Sequence, residues 1–163
     1  MIADQTLVSN WHVQEDELVQ TELSHGEHTM LKGSALEQFE FGATLRLSKH
    51  NAEALPSLGI LVQYSEQEKL YVFLFKQQER WALAVETTGV APVVNRVIAL
   101  PETFDPAEWH TLHLIQDQEQ SHIHLDGTKV LMISEANRAA QPGLITVNAA
   151  AEFSRVWQKG SNA

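Results

Sequence analysis

From Phe39 to Ser48 the chain alternates between apolar and polar residues without interruption. Phe39, Phe41, Ala43, Leu45 and Leu47 fall on one side, and Glu40, Gly42, Thr44, Arg46 and Ser48 fall on the other. A period of two sustained over that length means a long strand with one buried face and one polar face. The theme recurs at 58–64, 70–76, 80–87, 93–100, 109–116, 121–125, 128–133, 143–147 and 152–157, with shorter runs around 11–13, 17–21 and 28–31. Turn chemistry separates the runs. Asp126-Gly127 is a two-residue hairpin signal, because a type I′ turn needs positive φ at both central positions. Polar tips at 65–68, 76–79 and 117–120 join other pairs, while Pro101 and Pro106 keep their connection from being helical throughout. Helix support is thin, confined to a turn or two at 52–55 and 134–140. So many short strands with frequent turns predict an all-β, antiparallel two-sheet sandwich.

At 163 residues a single domain is expected, spanning 1–158, with the small and polar 159–163 as a flexible tail. An apolar share of 44% is enough to fill a core and excludes global disorder. Subtracting 21 acidic from 11 basic side chains leaves a formal charge of −10, which repels phosphate and argues against nucleic acid or an anionic membrane as partner. The absence of cysteine excludes disulfides and thiolate chemistry. Met1 to Thr6 has neither the basic start nor the apolar run of roughly 7–15 residues that marks a secretory signal. The expectation is a cytoplasmic protein, or a domain cut from a longer exported one whose other domains are its partners. Apolar runs such as 59–62 fall far short of the roughly 20 residues a membrane-spanning helix needs.

The order of segments carries a resemblance. Leu18-Val19-Gln20 follows a Trp-centred strand, and the long strand 39–47 comes next. Gly59-Ile60-Leu61-Val62-Gln63-Tyr64 and Leu70-Tyr71-Val72-Phe73-Leu74-Phe75 succeed it. The strongest piece is Trp109-His110-Thr111-Leu112-His113-Leu114 with Ile123-His124-Leu125-Asp126-Gly127, before Pro142-Gly143-Leu144-Ile145-Thr146 and the closing 151–156. The chain resembles the concanavalin A-like lectin/glucanase superfamily over roughly residues 5–158, especially its laminin-G-like and glycosidase-associated jelly rolls. The resemblance implies the fold more than an activity, since the matched positions are core and turn positions.

Laminarinase-like members of that superfamily carry two glutamates flanking an aspartate on one strand, E-x-D-x-x-E. Alternate strand residues point the same way, which sets an acid and a nucleophile about 5–5.5 Å apart beside one sugar bond. No match exists here. Glu37 and Glu40 have opposite parity, as do Glu15 and Asp16, and Glu66 and Glu68 fall in a predicted turn. No catalytic residue carries over.

Eight histidines are the oddest compositional feature. In the hairpin around Gln118-Glu119, pairing Gln116 with Ser121 sets Leu114 opposite Ile123 and Leu112 opposite Leu125 on the core face. The same register puts His113 opposite His124, and Ile115 beside His122, on the other face. Two imidazoles on adjacent strands begin a metal site but leave a third ligand unnamed. His25 and His28 flank a loop around Gly26-Glu27. A structural calcium ion is implied by the resemblance alone, with Asp4 and Glu152 as its candidate donors.

Flat rings with polar edges suit sugar faces, so Trp81, Tyr64 and Tyr71 are platform candidates, while Trp11, Trp109, Trp157, Phe39 and Phe41 are expected in the core. The polar sheet face of Glu40, Thr44, Arg46, Gln63, His113 and His124 is the candidate groove. The candidate ligand-binding set is therefore Glu40, Arg46, Gln63, Tyr71, Trp81, His113 and His124. The bland alternative is that Arg46 neutralises Glu40 on a wet sheet. The first functional reading is a carbohydrate-associated binding or accessory module whose partner is an oligo- or polysaccharide. A glycoside hydrolase with an atypical acid pair and a non-sugar protein-interaction domain are its rivals. A carboxylate pair in one groove would favour the former rival, an exposed apolar patch without a groove the latter.

Overall fold

The computed structural model describes residues 11–14, 17–21, 27–31, 35–50, 55–89, 94–117, 120–134 and 139–161. They form strands β1 (Trp11–Gln14), β2 (Glu17–Gln20), β3 (Glu27–Leu31), β4 (Gln38–His50), β5 (Ser57–Gln63), β6 (Lys69–Gln77) and β7 (Arg80–Thr88). Then follow β8 (Asn95–Ala99), β9 (His110–Gln116), β10 (Gln120–Leu125), β11 (Thr128–Ser134), β12 (Gln141–Val147) and β13 (Ala149–Ser161). A seven-stranded sheet has the order β1-β2-β13-β4-β9-β10-β11, and a six-stranded sheet has β3-β12-β5-β6-β7-β8. There is no helix among the described residues. The helical turns expected at 52–55 and 134–140 lie largely outside the described residues; Leu55, Ser134, Ala139 and Ala140 are not helical.

The alternation does what its period demands. Phe39, Phe41, Ala43, Leu45 and Leu47 point inward from β4, joined by Leu112 and Leu114 of β9 and Ile123 and Leu125 of β10. Leu58, Ile60, Leu70, Val72, Leu74, Leu83 and Val85 meet them from the six-stranded sheet. Trp11 is buried against Phe153, their rings 5.6 Å apart. The β9–β10 register pairs Gln116 with Ser121, Leu114 with Ile123 and His113 with His124, as parity requires. Asp126 (φ 51°) and Gly127 (φ 84°) make the expected positive-φ turn. The Asp126 carboxylate accepts from His110 Nδ1 at 2.7 Å and from the Thr111 N–H at 2.8 Å, tying the turn to the start of β9.

The largest departure from the sequence reading lies in β13. Phe153 pairs with Leu45 and Ser154 with Thr44, but a bulge containing Arg155 (φ 49°) precedes the pairing of Trp157 with Gly42. Two residues there oppose one, so every side chain after the bulge changes face. Trp157, expected in the core, therefore lies outside at 37% exposure. Trp109, also expected in the core, is equally exposed, because it precedes β9 rather than belonging to it. Gly42 makes room for the displaced indole, since a Cβ there would stand 2.6 Å from the Trp157 ring. Nor is 159–161 a loose tail, because Lys159, Gly160 and Ser161 pair with Glu40, Phe39 and Gln38.

Gly42→Ala is expected to push the Trp157 ring outward. The measurable results are a red-shifted tryptophan emission and a loss of about 1 kcal/mol in urea unfolding, at the lower end for overpacking because the ring has solvent to move into.

Candidate functional site

The outer face of the seven-stranded sheet is polar and closed upon itself. Arg46 pairs with Glu152, its cross-strand partner, through Nη2 at 3.0 and 3.2 Å, and its guanidinium lies 4.3 Å from the centre of the Trp109 ring. Arg46 thus neutralises Glu152 and not Glu40, as sequence reasoning had suggested. Glu40 accepts instead from His113 Nε2 at 2.9 Å and from Lys159 Nζ at 3.2 Å, the lysine that the bulge carries to this face. Burial acts to raise the Glu40 carboxyl, but the hydrogen bonds from Lys159 and His113 outweigh it and hold it below the usual carboxylate value. The His113 ring lies 5.5 Å from that of His124 and 5.1 Å from that of Trp157. Burial, with the positive charges of His113, His122 and Lys129, keeps His124 below the usual imidazole value.

The residues proposed from sequence do not form one site. Glu40, Arg46, His113 and His124 share the face just described, whereas Gln63 and Tyr71 belong to the six-stranded sheet. Gln63 is adjacent to Glu40 in pattern only, because period two reports which residues share a face and not which sheet a strand joins. Trp81, offered as a sugar platform, is packed in the core with Leu83 and Val85. Among the described residues, no three His, Asp or Glu side chains converge as metal ligands. Of the two candidate calcium donors, Glu152 has both carboxylate oxygens within hydrogen-bond distance of the Arg46 guanidinium. Asp4 and His25 lie outside the described residues, and of His28 only the backbone is described.

The six-stranded sheet has a different outer face. Tyr71, Phe73 and Phe75 alternate along β6, half-buried, with the rings of Phe73 and Phe75 in edge contact at 5.7 Å. The phenylalanines have small cross-strand neighbours, Gly59 and Ala84 beside Phe73 and Ser57 and Ala82 beside Phe75, while Leu61 and Glu86 flank Tyr71. A Cβ on Gly59 would come within 2.5 Å of the Phe73 Cα, so the strands approach closely beneath the ring. A hollow of about 270 Å³ crosses β12, β5, β6 and β7 there, lined by Ile145, Val147, Ser57, Tyr71, Phe73, Glu86 and Thr88. Glu86 stands directly opposite Tyr71. Two hollows of about 370 and 330 Å³ elsewhere touch Phe39 and Trp81, rings buried in the core, and so offer no aromatic floor. Sequence reasoning found Tyr71 but missed Phe73 and Glu86. The signal was present: a strand apolar on both parities, facing glycine and alanine on its neighbours.

No family model and no curated protein matches the sequence. Among solved structures, a carbohydrate-binding module, CBM66, from Bacillus subtilis superposes with a TM-score of 0.72 at 14% identity, covering 92% of this chain and 91% of that one. The chain adopts the concanavalin A-like jelly-roll fold. The catalytic domain of an endo-1,3-beta-glucanase (laminarinase) from Thermotoga petrophila RKU-1 shares this jelly roll, with a TM-score of 0.62, 10% identity and coverage of 93% and 79%. So does galectin LEC-6 of Caenorhabditis elegans, with a TM-score of 0.52, 10% identity and coverage of 88% and 100%.

The two perturbed groups on the polar face of the jelly roll act with the same sign. Each has a lowered folded-state pKa, so each contributes stability above its unfolded value and loses it on acidification through the folded value. For His124 the loss begins below pH 6.5, and for Glu40 below pH 4.5. His124→Asn is expected to flatten the fall in urea midpoint between about pH 7 and pH 5 while leaving the acid limb.

Proposed function

We propose that the protein is a carbohydrate-binding module whose saccharide sits in the hollow on the six-stranded sheet. One observation carries this reading: half-buried Tyr71 and Phe73 line the hollow with Glu86, Thr88 and Ser57 as hydrogen-bonding groups around them. A pyranose presents an apolar face and a polar rim, and this arrangement complements both. Strands rather than loops hold these side chains, so little ordering accompanies binding. The opposite face is less suited, because Glu40, Arg46 and His113 already satisfy one another or their neighbours. Neighbours in fold whose names describe a carbohydrate-binding module, a glucanase and a galectin favour a sugar ligand over a protein one. Binding is favoured over hydrolysis, since Glu86 is the one carboxylate lining the hollow among the described residues and glycoside hydrolysis generally uses two.

A glycan array followed by titration of the best ligand tests the reading. Tyr71→Ala and Phe73→Ala should each weaken binding by about three- to tenfold, the scale of one aromatic contact. Arg46→Ala should leave affinity unchanged. The reverse pattern would move the site to the seven-stranded sheet, and silence across the array would favour a non-sugar partner.

A further inference from the structure

We infer that the ligand is a linear polysaccharide running lengthwise along β6, from the hollow over Phe75 into a second hollow beyond it; this rests on the carbohydrate-binding reading above. The inference starts from where the rings stand. Strands β3, β12, β5 and β8 contain no aromatic residue, and the one in β7, Trp81, is packed in the core. The outward rings of this sheet's strands are therefore those of Tyr71, Phe73 and Phe75, in line along a single strand. Phe73 lines the first hollow and touches Phe75, ring centres 5.7 Å apart, so the apolar surface continues past the edge of that hollow.

Register carries the track further. Ser57, Phe75, Ala82 and Ala99 form one row across β5, β6, β7 and β8. Ser57 lines the first hollow, whereas Ala82 and Ala99 line the hollow of about 330 Å³. Half-buried Phe75 stands in the row between them. One outward step farther along the strands, Gln77 and Arg80 oppose each other and line the same second hollow. Arg80 Nη2 donates to the Leu100 carbonyl at 2.6 Å, which positions a guanidinium with five donors at that end. From Tyr71 to Gln77 the strand advances about 20 Å, at about 3.3 Å per residue. That length takes several sugar units in extended form, whereas a single unit fills only the first hollow. A chain loses its translational and rotational freedom once, so each further unit laid on a ring adds to affinity.

Calorimetric titration of the intact chain with ladders of two to six units tests this, using β-1,3-glucan, β-1,4-glucan, β-1,4-mannan and β-1,4-xylan oligosaccharides. In a ladder that binds, affinity should rise about tenfold between two and five units. Phe73→Ala should weaken every length. Phe75→Ala should weaken five and six units by about three- to tenfold and leave two units within about twofold. Ala99 is exposed on the edge strand β8, so Ala99→Gln obstructs the second hollow without disturbing the core and should weaken the long oligosaccharides by about threefold. Equal affinity for two and six units, or a length dependence that both of these last variants leave intact, overturns the inference and leaves the binding-module reading standing. No binding in any ladder removes that reading, and the inference with it.

Discussion

The packing of β4 and β13 against the opposite sheet governs everything placed on the outside. Phe41, Leu45 and Phe153 are fully enclosed there. Burying a side chain of this kind contributes about 1.5–3 kcal/mol relative to leaving it in water. With no cysteine in the chain, this apolar contact has no disulfide to assist it. Because strand side chains alternate, holding these residues inward dictates which residues face outward, down to the pairing of Arg46 with Glu152. The bulge in β13 changes phase only after Phe153 has been placed. Beyond it, the strand gives up an inward Trp157 and gains an outward Trp157 and Lys159, the two groups that build one half of the polar face.

The two outer faces solve the problem of an exposed sheet in opposite ways. On the seven-stranded sheet, ion pairs and rings cover one another, as in Lys159–Glu40–His113 and Arg46–Glu152 over Trp109. Partly exposed pairs of this sort are worth about 0–1 kcal/mol each. Their effect is less to stabilise the fold than to leave few groups with unmet hydrogen-bonding capacity. On the six-stranded sheet, small residues beside β6 (Gly59 and Ala84 at Phe73, Ser57 and Ala82 at Phe75) leave these two rings only half-buried. An apolar surface of this kind is costly to hydrate, and a ligand with a matching face relieves that cost.

What could be read from sequence was the part governed by parity alone. Phe39, Phe41, Leu45, Leu112, Leu114, Ile123 and Leu125, inward by alternation, are all buried, and the hairpin that pairs His113 with His124 has the predicted register. Parity fails where the chain inserts a residue, and nothing local marks the bulge at Arg155; Trp157 was lost for that reason. Parity also says nothing about which sheet a strand joins. Gln63 and Glu40 look equivalent as polar residues on amphipathic strands, yet β5 and β4 lie in different sheets. Phe73 was missed for a third reason. A strand apolar on both faces reads as buried on both, unless the small residues of the preceding and following strands, β5 and β7, are set against it in register.

The same reasoning explains how 14% identity coexists with a TM-score of 0.72. The sandwich asks of each inward position only an apolar side chain of fitting volume, and many substitutions meet that demand. Outward positions are freer still, since no packing partner constrains them. Chemistry on this jelly roll is therefore written where the fold exerts least control, and likeness of backbone transmits little of it. The identity of a ligand has to be argued from outward residues such as Tyr71, Phe73 and Glu86. Their value as evidence is that the core does not require them: Leu70, Val72 and Leu74 hold β6 in place from the other side.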